Sequence, residues 1–147
     1  MSRPTLADWL KSFLPAPIAV DARERVRGVA GAAIGILFVA SICRWLLPGT
    51  PAGAWLVAPL GASAVLVFAV PASPLAQPWA VVGGNALSAI VGVLCSLAIG
   101  DPLFAGPVAV AAAISAMFLL RCLHPPGGAV ALLAVLVHAR HGEFAWL

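Results

Sequence analysis

The residues best suited to chemistry in this chain are one histidine and two short segments rich in proline and glycine. The segment His-Pro-Pro-Gly-Gly-Ala occupies residues 124–129 and Pro-Leu-Gly-Ala-Ser occupies residues 59–63, with Pro59 standing 66 residues before Pro125. Proline and glycine interrupt helices, and an interrupted helix inside a membrane leaves backbone groups free to bind a ligand. Paired segments of this kind are typical of substrate sites in membrane transporters.

The histidine segment has the features of an anion site at the start of a helix. A helix that begins after two prolines leaves its next amides without intrahelical partners, at the positive end of the helix dipole. Glycine allows an anion to approach such amides closely. A serine hydroxyl from the other segment and two basic side chains complete the predicted site. The predicted substrate-binding residues are His124, Pro125, Pro126, Gly127, Gly128, Ala129, Pro59, Gly61, Ser63, Asn85 and Arg121.

Each of these features also has an ordinary structural interpretation. Pro-Pro-Gly-Gly is a common composition for a membrane turn, and His124 beside it can cap backbone groups of a loop. Arg121 fits an interfacial anchor, and Asn85 fits a hydrogen bond between helices. The sequence leaves these alternatives open.

The composition identifies an integral membrane protein. Apolar residues make up 63% of the chain, charged residues 9%, and the mean hydropathy is +1.08. Soluble domains contain roughly 25% charged residues, so this chain cannot cover a water-facing surface. The basic residues before the first long apolar run are Arg3, Lys11, Arg23, Arg25 and Arg27. Their position predicts a cytoplasmic N-terminus in a plasma (bacterial inner) membrane, with the lipid bilayer as a partner and no nucleic acid.

The apolar runs predict an all-α fold, a polytopic bundle of transmembrane helices with some helices interrupted. Residues 1–27 form a cytoplasmic segment with an amphipathic interfacial helix over 5–14, and residues 28–147 form the membrane domain. The predicted spans are 28–47, 54–70, 79–99, 103–120 and 127–137. About 20 residues are needed to cross a bilayer, so the last run is too short to cross alone.

The distance between the two Pro-x-Gly segments raises the question of an internal repeat. A shift of 66 residues would pair three spans with three others in opposite orientation, and the chain would then lack most of a sixth span. In such an inverted repeat both segments start helices and approach each other inside the membrane. Drift among helices rich in alanine, glycine and leucine is the alternative explanation.

Small residues recur every four positions in three of the predicted spans. They are Gly31 and Gly35, then Gly84, Ser88, Gly92, Ser96 and Gly100, then Ala105, Ala109 and Ala113. Small residues let helix backbones approach closely, so these stripes predict helix packing and not chemistry. A set of about five spans leaves some of these faces uncovered, which predicts a homo-oligomer.

The sequence predicts no enzyme, cofactor or metal site. Asp101 and Glu143 lie in predicted loops, and no paired carboxylates share a helix face. Cys43, Cys95 and Cys122 lie in different apolar runs without the spacing of a metal site, and they fit small packing residues.

Four motifs, in order, resemble the HPP family of integral membrane proteins, which is named for its His-Pro-Pro motif. They are Gly-Ala-Ser-Ala-Val-Leu at 61–66, Pro-Ala-Ser-Pro-Leu-Ala-Gln-Pro at 71–78, Gly-Gly-Asn at 83–85 and Leu-His-Pro-Pro-Gly-Gly-Ala at 123–129. The resemblance covers roughly residues 20–147. Plant and cyanobacterial-type relatives are linked to nitrite transport, so the resemblance implies a membrane domain that moves a small anion such as nitrite. The alternative is a membrane anchor or sensor module that serves a partner without transporting.

Overall fold

The computed structural model describes residues 5–6, 13, 20–46, 48 and 52–144, and it describes their side chains except at 52–57 and 140–144. Within these residues the regular secondary structure is helical, without a strand, which confirms the predicted all-α fold. The helices are α1 (Ala22–Leu46), α2 (Ala52–Ala69), α3 (Pro78–Ile99), α4 (Pro102–Leu119) and α5 (Pro126–Phe144), and a 3-10 turn spans Pro74–Ala76.

Three of the described helices are long and apolar enough to cross a membrane. They are α1, α3 and α4. The apolar parts of the other two helices are shorter and span Ala58–Ala69 and Pro126–Ala139. These lengths agree with a helical membrane bundle.

Prolines and one carboxylate determine where α3 and α4 begin. Pro78 and Pro102 occupy the start of each helix, where the missing N–H loses no intrahelical bond. The carboxylate of Asp101 accepts a hydrogen bond of 2.9 Å from the amide of Leu103 and caps α4. Gly100 has a φ of 73°, so the chain can leave α3 and enter α4 within one short turn.

The core is formed by α3, α4 and α5, and small residues form their contact faces. The buried residues of α3 are Ala80, Gly84, Ser88, Gly92 and Ser96. On α4 the fully buried alanines are Ala105, Ala109 and Ala113, and they cluster with Ala131 and Val135 of α5. Close backbone approach gives many dispersion contacts at once. The predicted stripes are therefore confirmed as packing faces on the fourth span and on the third span from Gly84 to Ser96, whereas Gly100 is exposed and ends its helix.

Helix α1 lies outside this core and packs against α2. A Cβ atom built on Gly31 would lie 2.6 Å from the ring of Phe68, and one built on Gly35 would lie 3.1 Å from it. The predicted small stripe of the first span therefore receives an aromatic side chain of α2. α1 has no buried residue of its own, and α2 in turn packs against α5.

The start of α1 differs from the predicted boundary at residue 28. The helix begins at Ala22, because the carboxylate of Asp21 accepts a 2.7 Å hydrogen bond from the amide of Glu24 and caps the helix. Of the five basic residues that were predicted to precede the span, Arg3 and Lys11 lie outside the described residues, and the other three lie in the first two turns of α1. They are Arg23, Arg25 and Arg27.

The end of α5 also differs from the predicted one. The helix continues to Phe144 and does not stop near residue 137. The apolar run ends there, but the residues that follow include good helix formers such as Ala139, Arg140 and Glu143, so the backbone hydrogen bonds continue. The predicted interfacial helix over 5–14 lies mostly outside the described residues.

The helix boundaries do not follow the predicted repeat of 66 residues. Pro59 is buried inside α2, whereas Pro126 starts α5, so the prediction that both segments begin helices is wrong. A shift of 66 residues also places the α3–α4 turn at 100–102 on residues 34–36, in the middle of α1. An interior proline removes one helix hydrogen bond, and neighbouring helices in a membrane bundle can compensate for that loss.

Candidate functional site

His124 is the centre of a buried polar cluster. It lies in the connection between α4 and α5, and its side chain is 0% exposed. Its Nε2 atom lies 2.8 Å from Oγ of Ser63 on α2, and its Nδ1 atom lies 2.8 Å from the carbonyl oxygen of Leu75 in the 3-10 turn. The two Pro-x-Gly segments therefore meet inside the bundle, as predicted.

The carbonyl of Leu75 determines where the imidazole carries its proton. A carbonyl oxygen only accepts hydrogen bonds, so Nδ1–H of His124 donates to it. In the neutral ring Nε2 then accepts from the hydroxyl of Ser63. The amide nitrogen of Asn85 donates to Ser63 Oγ at 3.4 Å. The cluster is a directed chain of hydrogen bonds that runs from Asn85 through Ser63 and His124 to the main chain.

One atom of this cluster has no protein partner. Oδ1 of Asn85 is buried, and within the described residues no protein group donates to it. A buried acceptor without a hydrogen bond costs roughly 1–3 kcal/mol. An unsatisfied polar atom inside an apolar bundle therefore points to a ligand or a functional role.

A helix-ending motif holds the connection that carries His124. The amide of Cys122 donates to the carbonyl of Met117 at 3.0 Å, and the amide of Arg121 donates to that of Phe118 at 3.3 Å. These two bonds are the Schellman pattern at the end of α4. Arg121 has a φ of 54°, the left-handed conformation that glycine usually supplies at this position.

Two further hydrogen bonds position the loops around the imidazole. The indole N–H of Trp79 donates to the carbonyl of Leu120 at 3.1 Å and ties the end of α4 to α3. Oγ of Ser73 accepts from the amide of Leu75 at 3.2 Å and shapes the 3-10 turn. The hydrogen bond from Leu75 to Ser73 therefore helps to position the carbonyl of Leu75, which accepts from His124.

Two of the three amides that were predicted to be free, those of Gly127 and Gly128, have hydrogen-bond partners. The amide of Gly127 donates to the carbonyl of His124 at 2.8 Å, and that of Gly128 donates to Pro125 at 3.1 Å. The tight turn at the two prolines supplies these carbonyls, which the sequence reasoning did not consider. A Cβ atom on Gly127 would lie 2.6 Å from Oγ of Ser88, so this glycine allows α5 to pack against α3.

An open cavity of about 280 Å³ lies beside Leu75, and the side chains of His124, Ser63 and Asn85 are not among its lining. It is lined by Pro74, Leu75, Ala80, Met117, Phe118, Arg121 and Leu123. Arg121 is the charged residue of this lining, and Leu75 is the residue whose carbonyl accepts from His124.

The structure brings three predicted site residues, Ser63, Asn85 and His124, into one hydrogen-bonded group. Pro59 and Gly61 lie within about one turn of Ser63 on α2, and a Cβ atom on Gly61 would have no other atom within 4 Å. The remaining predicted residues lie beside the group, and the hydrogen bonds of its side chains involve other residues. The remaining predicted residues are Arg121, exposed at the cavity, and Pro125, Pro126, Gly127, Gly128 and Ala129 at the start of α5.

Sequence reasoning missed the carbonyl of Leu75. The Ser-Pro pair at 73–74 signals a turn, but any residue has a carbonyl, so no pattern shows which one reaches His124. Among the side chains that the structure describes, no group of three or more His, Cys, Asp or Glu could hold a metal ion.

Comparison with known proteins identifies the family. The profile of the HPP transmembrane region matches residues 17–147. The chain belongs to the HPP family. Its His-Pro-Pro motif is the segment that carries the buried imidazole, and the long apolar helices agree with an integral membrane protein.

Two relatives of this chain are curated transmembrane proteins of Dictyostelium discoideum. One is 36% identical over 124 residues, which cover 82% of this chain and 40% of that protein. The other is 44% identical over 85 residues, which cover 55% of this chain and 30% of that protein. The matched part of the chain therefore covers less than half the length of these relatives. No solved structure matches the chain.

Proposed function

We propose that this HPP domain transports a small anion, with nitrite as the expected substrate, and that the His124 cluster is part of its path. The observation that carries the proposal is the hydrogen-bonded group of Asn85, Ser63 and His124 inside an apolar bundle. Polar groups within membrane helices are costly, and they are usually functional. Arg121, three residues before His124, provides an exposed positive charge on the same connection.

Catalysis is not part of the proposal, and neither is a cofactor. Ser63 and His124 have the contact of a nucleophile and its base, but serine hydrolases orient the histidine with a carboxylate. Here a main-chain carbonyl holds the ring, and Ser63 is only 5% exposed and already accepts from Asn85. This arrangement favours binding over bond cleavage.

Uptake of labelled nitrite into vesicles that contain the purified chain tests transport. Ser63→Ala removes the hydroxyl that joins Asn85 to His124. We expect uptake to fall about tenfold, because a tenfold loss corresponds to roughly 1.4 kcal/mol, the scale of a buried hydrogen bond. The matched control is Ser115→Ala, since that exposed hydroxyl donates only to the carbonyl of Ala111 in its own helix.

The two functional hypotheses give different results in this assay. A transporter gives nitrite uptake above that of protein-free vesicles, with Ser115→Ala equal to the wild type. Wild-type uptake at the level of protein-free vesicles would contradict the proposal and favour the alternative, a membrane anchor or sensor module.

Substitutions of Arg121 separate the effect of its charge on uptake from the effect of its backbone conformation on stability. Arg121→Gly is expected to stabilise the fold by up to about 1 kcal/mol, because glycine adopts the φ of 54° without strain. If the guanidinium attracts the anion, the same change lowers nitrite uptake, and Arg121→Lys preserves it. Unfolding in detergent and uptake measure the two effects. A stabilised Arg121→Gly protein with full uptake would remove Arg121 from the site.

The proposal places the N-terminus in the cytoplasm and the domain in the plasma (bacterial inner) membrane. Arg25 and Arg27 of α1 line a groove with residues 67–72, and Leu75 contacts the connection that contains Arg121, so these cations share one end of the bundle. Basic residues favour the cytoplasmic side. Protease should remove an N-terminal tag in inside-out vesicles and not in right-side-out ones. The reverse result would contradict this orientation.

The proposal also includes a homo-oligomer. α1 has no buried residue, and large apolar side chains such as Ile34, Leu37 and Trp45 are exposed along it. A second copy could cover this surface in place of lipid. Light scattering of the detergent-solubilised protein should give at least twice the mass of one chain, and a monomer would contradict this assembly.

A further inference from the structure

We infer that the transport is coupled to protons and that Nε2 of His124 is the proton site, with one proton bound for each anion. The inference rests on the proposed function and goes beyond it by naming the coupling ion. It follows from the hydrogen bonds among His124, Ser63 and Asn85, which can run in either of two directions.

In the first direction the imidazole is neutral. The carbonyl of Leu75 keeps a proton on Nδ1 of His124, so Nε2 accepts from the hydroxyl of Ser63. Ser63 then has its oxygen free to accept from the amide nitrogen of Asn85. Oδ1 of Asn85 is buried, and no protein group among the described residues donates to it. Because this carbonyl oxygen carries a partial negative charge, it repels an anion.

Protonation of Nε2 reverses two of these hydrogen bonds. The imidazolium donates from Nε2 to Ser63 Oγ, so the serine hydroxyl must donate elsewhere. The amide of Asn85 lies 3.4 Å from Ser63 Oγ, and a half turn of this amide lets Oδ1 accept that proton. The NH2 group of Asn85 then takes the place of the unpartnered oxygen. The NH2 group can donate a hydrogen bond from the position that Oδ1 occupied before. Anions bind hydrogen-bond donors, so this change favours anion binding.

The imidazolium would have no counter-ion among the elements packed around it. α2, α4 and the 3-10 turn contain no ionisable side chain, and α3 contains only Cys95. The connection itself contributes Cys122, which is buried, and the cation Arg121, which is exposed. None of these groups supplies a negative carboxylate.

The carboxylates of the described helices and turns lie elsewhere. Glu143 is about 25 Å from the start of α5 at 1.5 Å per residue, and the other ionisable residues of that helix, His138, Arg140 and His141, also follow its first three turns. Asp101 caps α4 at the end of the bundle away from His124. Asp21 and Glu24 are exposed at the start of α1.

A buried charge without a partner is unstable, so the proton and the anion should stabilise each other in the site. Binding of one must strengthen binding of the other by the same factor. Together they carry no net charge. The coupling therefore predicts transport that responds to a pH gradient and not to the membrane potential.

The experiment measures nitrite uptake and internal pH together in vesicles that contain the purified protein. Protein-free vesicles supply the background, because nitrous acid itself crosses bilayers. We expect uptake above background to increase when the outside is acidic, to acidify the interior, and to ignore an imposed potential. Nitrite affinity should rise by as much as about tenfold for each unit by which pH falls, the slope for one linked proton.

Two substitutions test the proton site and the counter-ion separately. His124→Gln can bond both Leu75 and Ser63 but does not titrate, so its remaining uptake should show neither proton movement nor pH dependence. Asn85→Asp adds a carboxylate of the same shape that pairs with the imidazolium, so nitrite uptake should fall to background. His138→Gln on the exposed face of α5 is the matched control and should behave as the wild type.

A measurement on the unmodified protein avoids any effect of substitution on folding. Nitrogen NMR of labelled histidine in the detergent-solubilised protein should show Nε2 of His124 becoming protonated when nitrite is added. Uptake at background level would refute the proposed transport and this coupling together. Nitrite uptake that follows the membrane potential, with Nε2 unprotonated in the bound state, would refute the coupling and leave transport intact.

Discussion

Gly92→Leu is expected to prevent the native assembly of the bundle. A Cβ atom on Gly92 would meet the carbonyl oxygen and Cα of Ala131 and the Cβ of Ala134 on α5. These atoms belong to the backbone or are bonded directly to it, so no side-chain rotation can make room. The two helices must separate. Even the single methyl group of Gly92→Ala is expected to lower the free energy of unfolding by about 1–3 kcal/mol.

The comparison for this prediction is another glycine inside a helix of the same bundle. A Cβ atom on Gly61 would have no atom within 4 Å, so Gly61→Ala is expected to leave stability within about 0.5 kcal/mol of the wild type. Unfolding in mixed detergent micelles measures both variants. If Gly92→Ala unfolded at the same denaturant concentration as Gly61→Ala, the packing of α3 against α5 would be wrong.

His124→Ala is expected to abolish nitrite uptake and to destabilise the bundle as well. The change leaves Ser63 Oγ and the carbonyl of Leu75 without their buried partner and opens a cavity where the imidazole lay. Each lost buried partner costs roughly 1–3 kcal/mol, and the cavity adds to this. Loss of the imidazole also removes the proposed proton site. Uptake assays and unfolding in detergent measure the two effects.

His138→Ala is the matched control, because His138 is exposed on α5 and lies more than three helical turns from the start of that helix, away from the cluster. We expect it to keep both stability and uptake. His124→Gln should retain more stability than His124→Ala, since an amide can restore both hydrogen bonds. A His124→Ala protein with wild-type stability and uptake would show that the cluster is neither structural nor functional.

Several elements of the fold were predictable because they depend on local composition. The apolar runs predicted the helices, since a membrane-spanning segment must satisfy its own backbone. The four-residue stripe on α3, Gly84 through Ser96, predicted the buried face of that helix. A period of four residues returns to one side of a helix, and only small side chains permit the approach found there.

Other elements depended on competing effects that the pattern does not show. Pro59 lies inside α2 although proline usually ends a helix, because surrounding helices can compensate for the lost bond. The start of α1 at Ala22 depended on the cap from Asp21. Helix α5 continued beyond the end of its apolar run. The repeat predicted from spacing was wrong in its helix starts, although its two segments do meet.

The candidate site was predictable only as a set of residues. Ser63, Asn85 and His124 were selected by type, since polar side chains in apolar runs are rare. The prediction that an anion binds the free amides of Gly127, Gly128 and Ala129 loses two of its three donors, because a tight turn pairs the amides of Gly127 and Gly128. The site instead depends on side chains, and the motif glycine packs against Ser88.

The sequence by itself determined that this is an all-helical HPP membrane protein, because hydropathy, small-residue periodicity and the His-Pro-Pro motif are properties of the chain alone. The tertiary structure alone decided which groups touch. It placed the carbonyl of Leu75 on Nδ1 of His124, and that single acceptor sets the direction of the hydrogen bonds through Ser63 to Asn85. A main-chain carbonyl has no signature in sequence, so its contact with a side chain 49 residues away depends on how the helices pack.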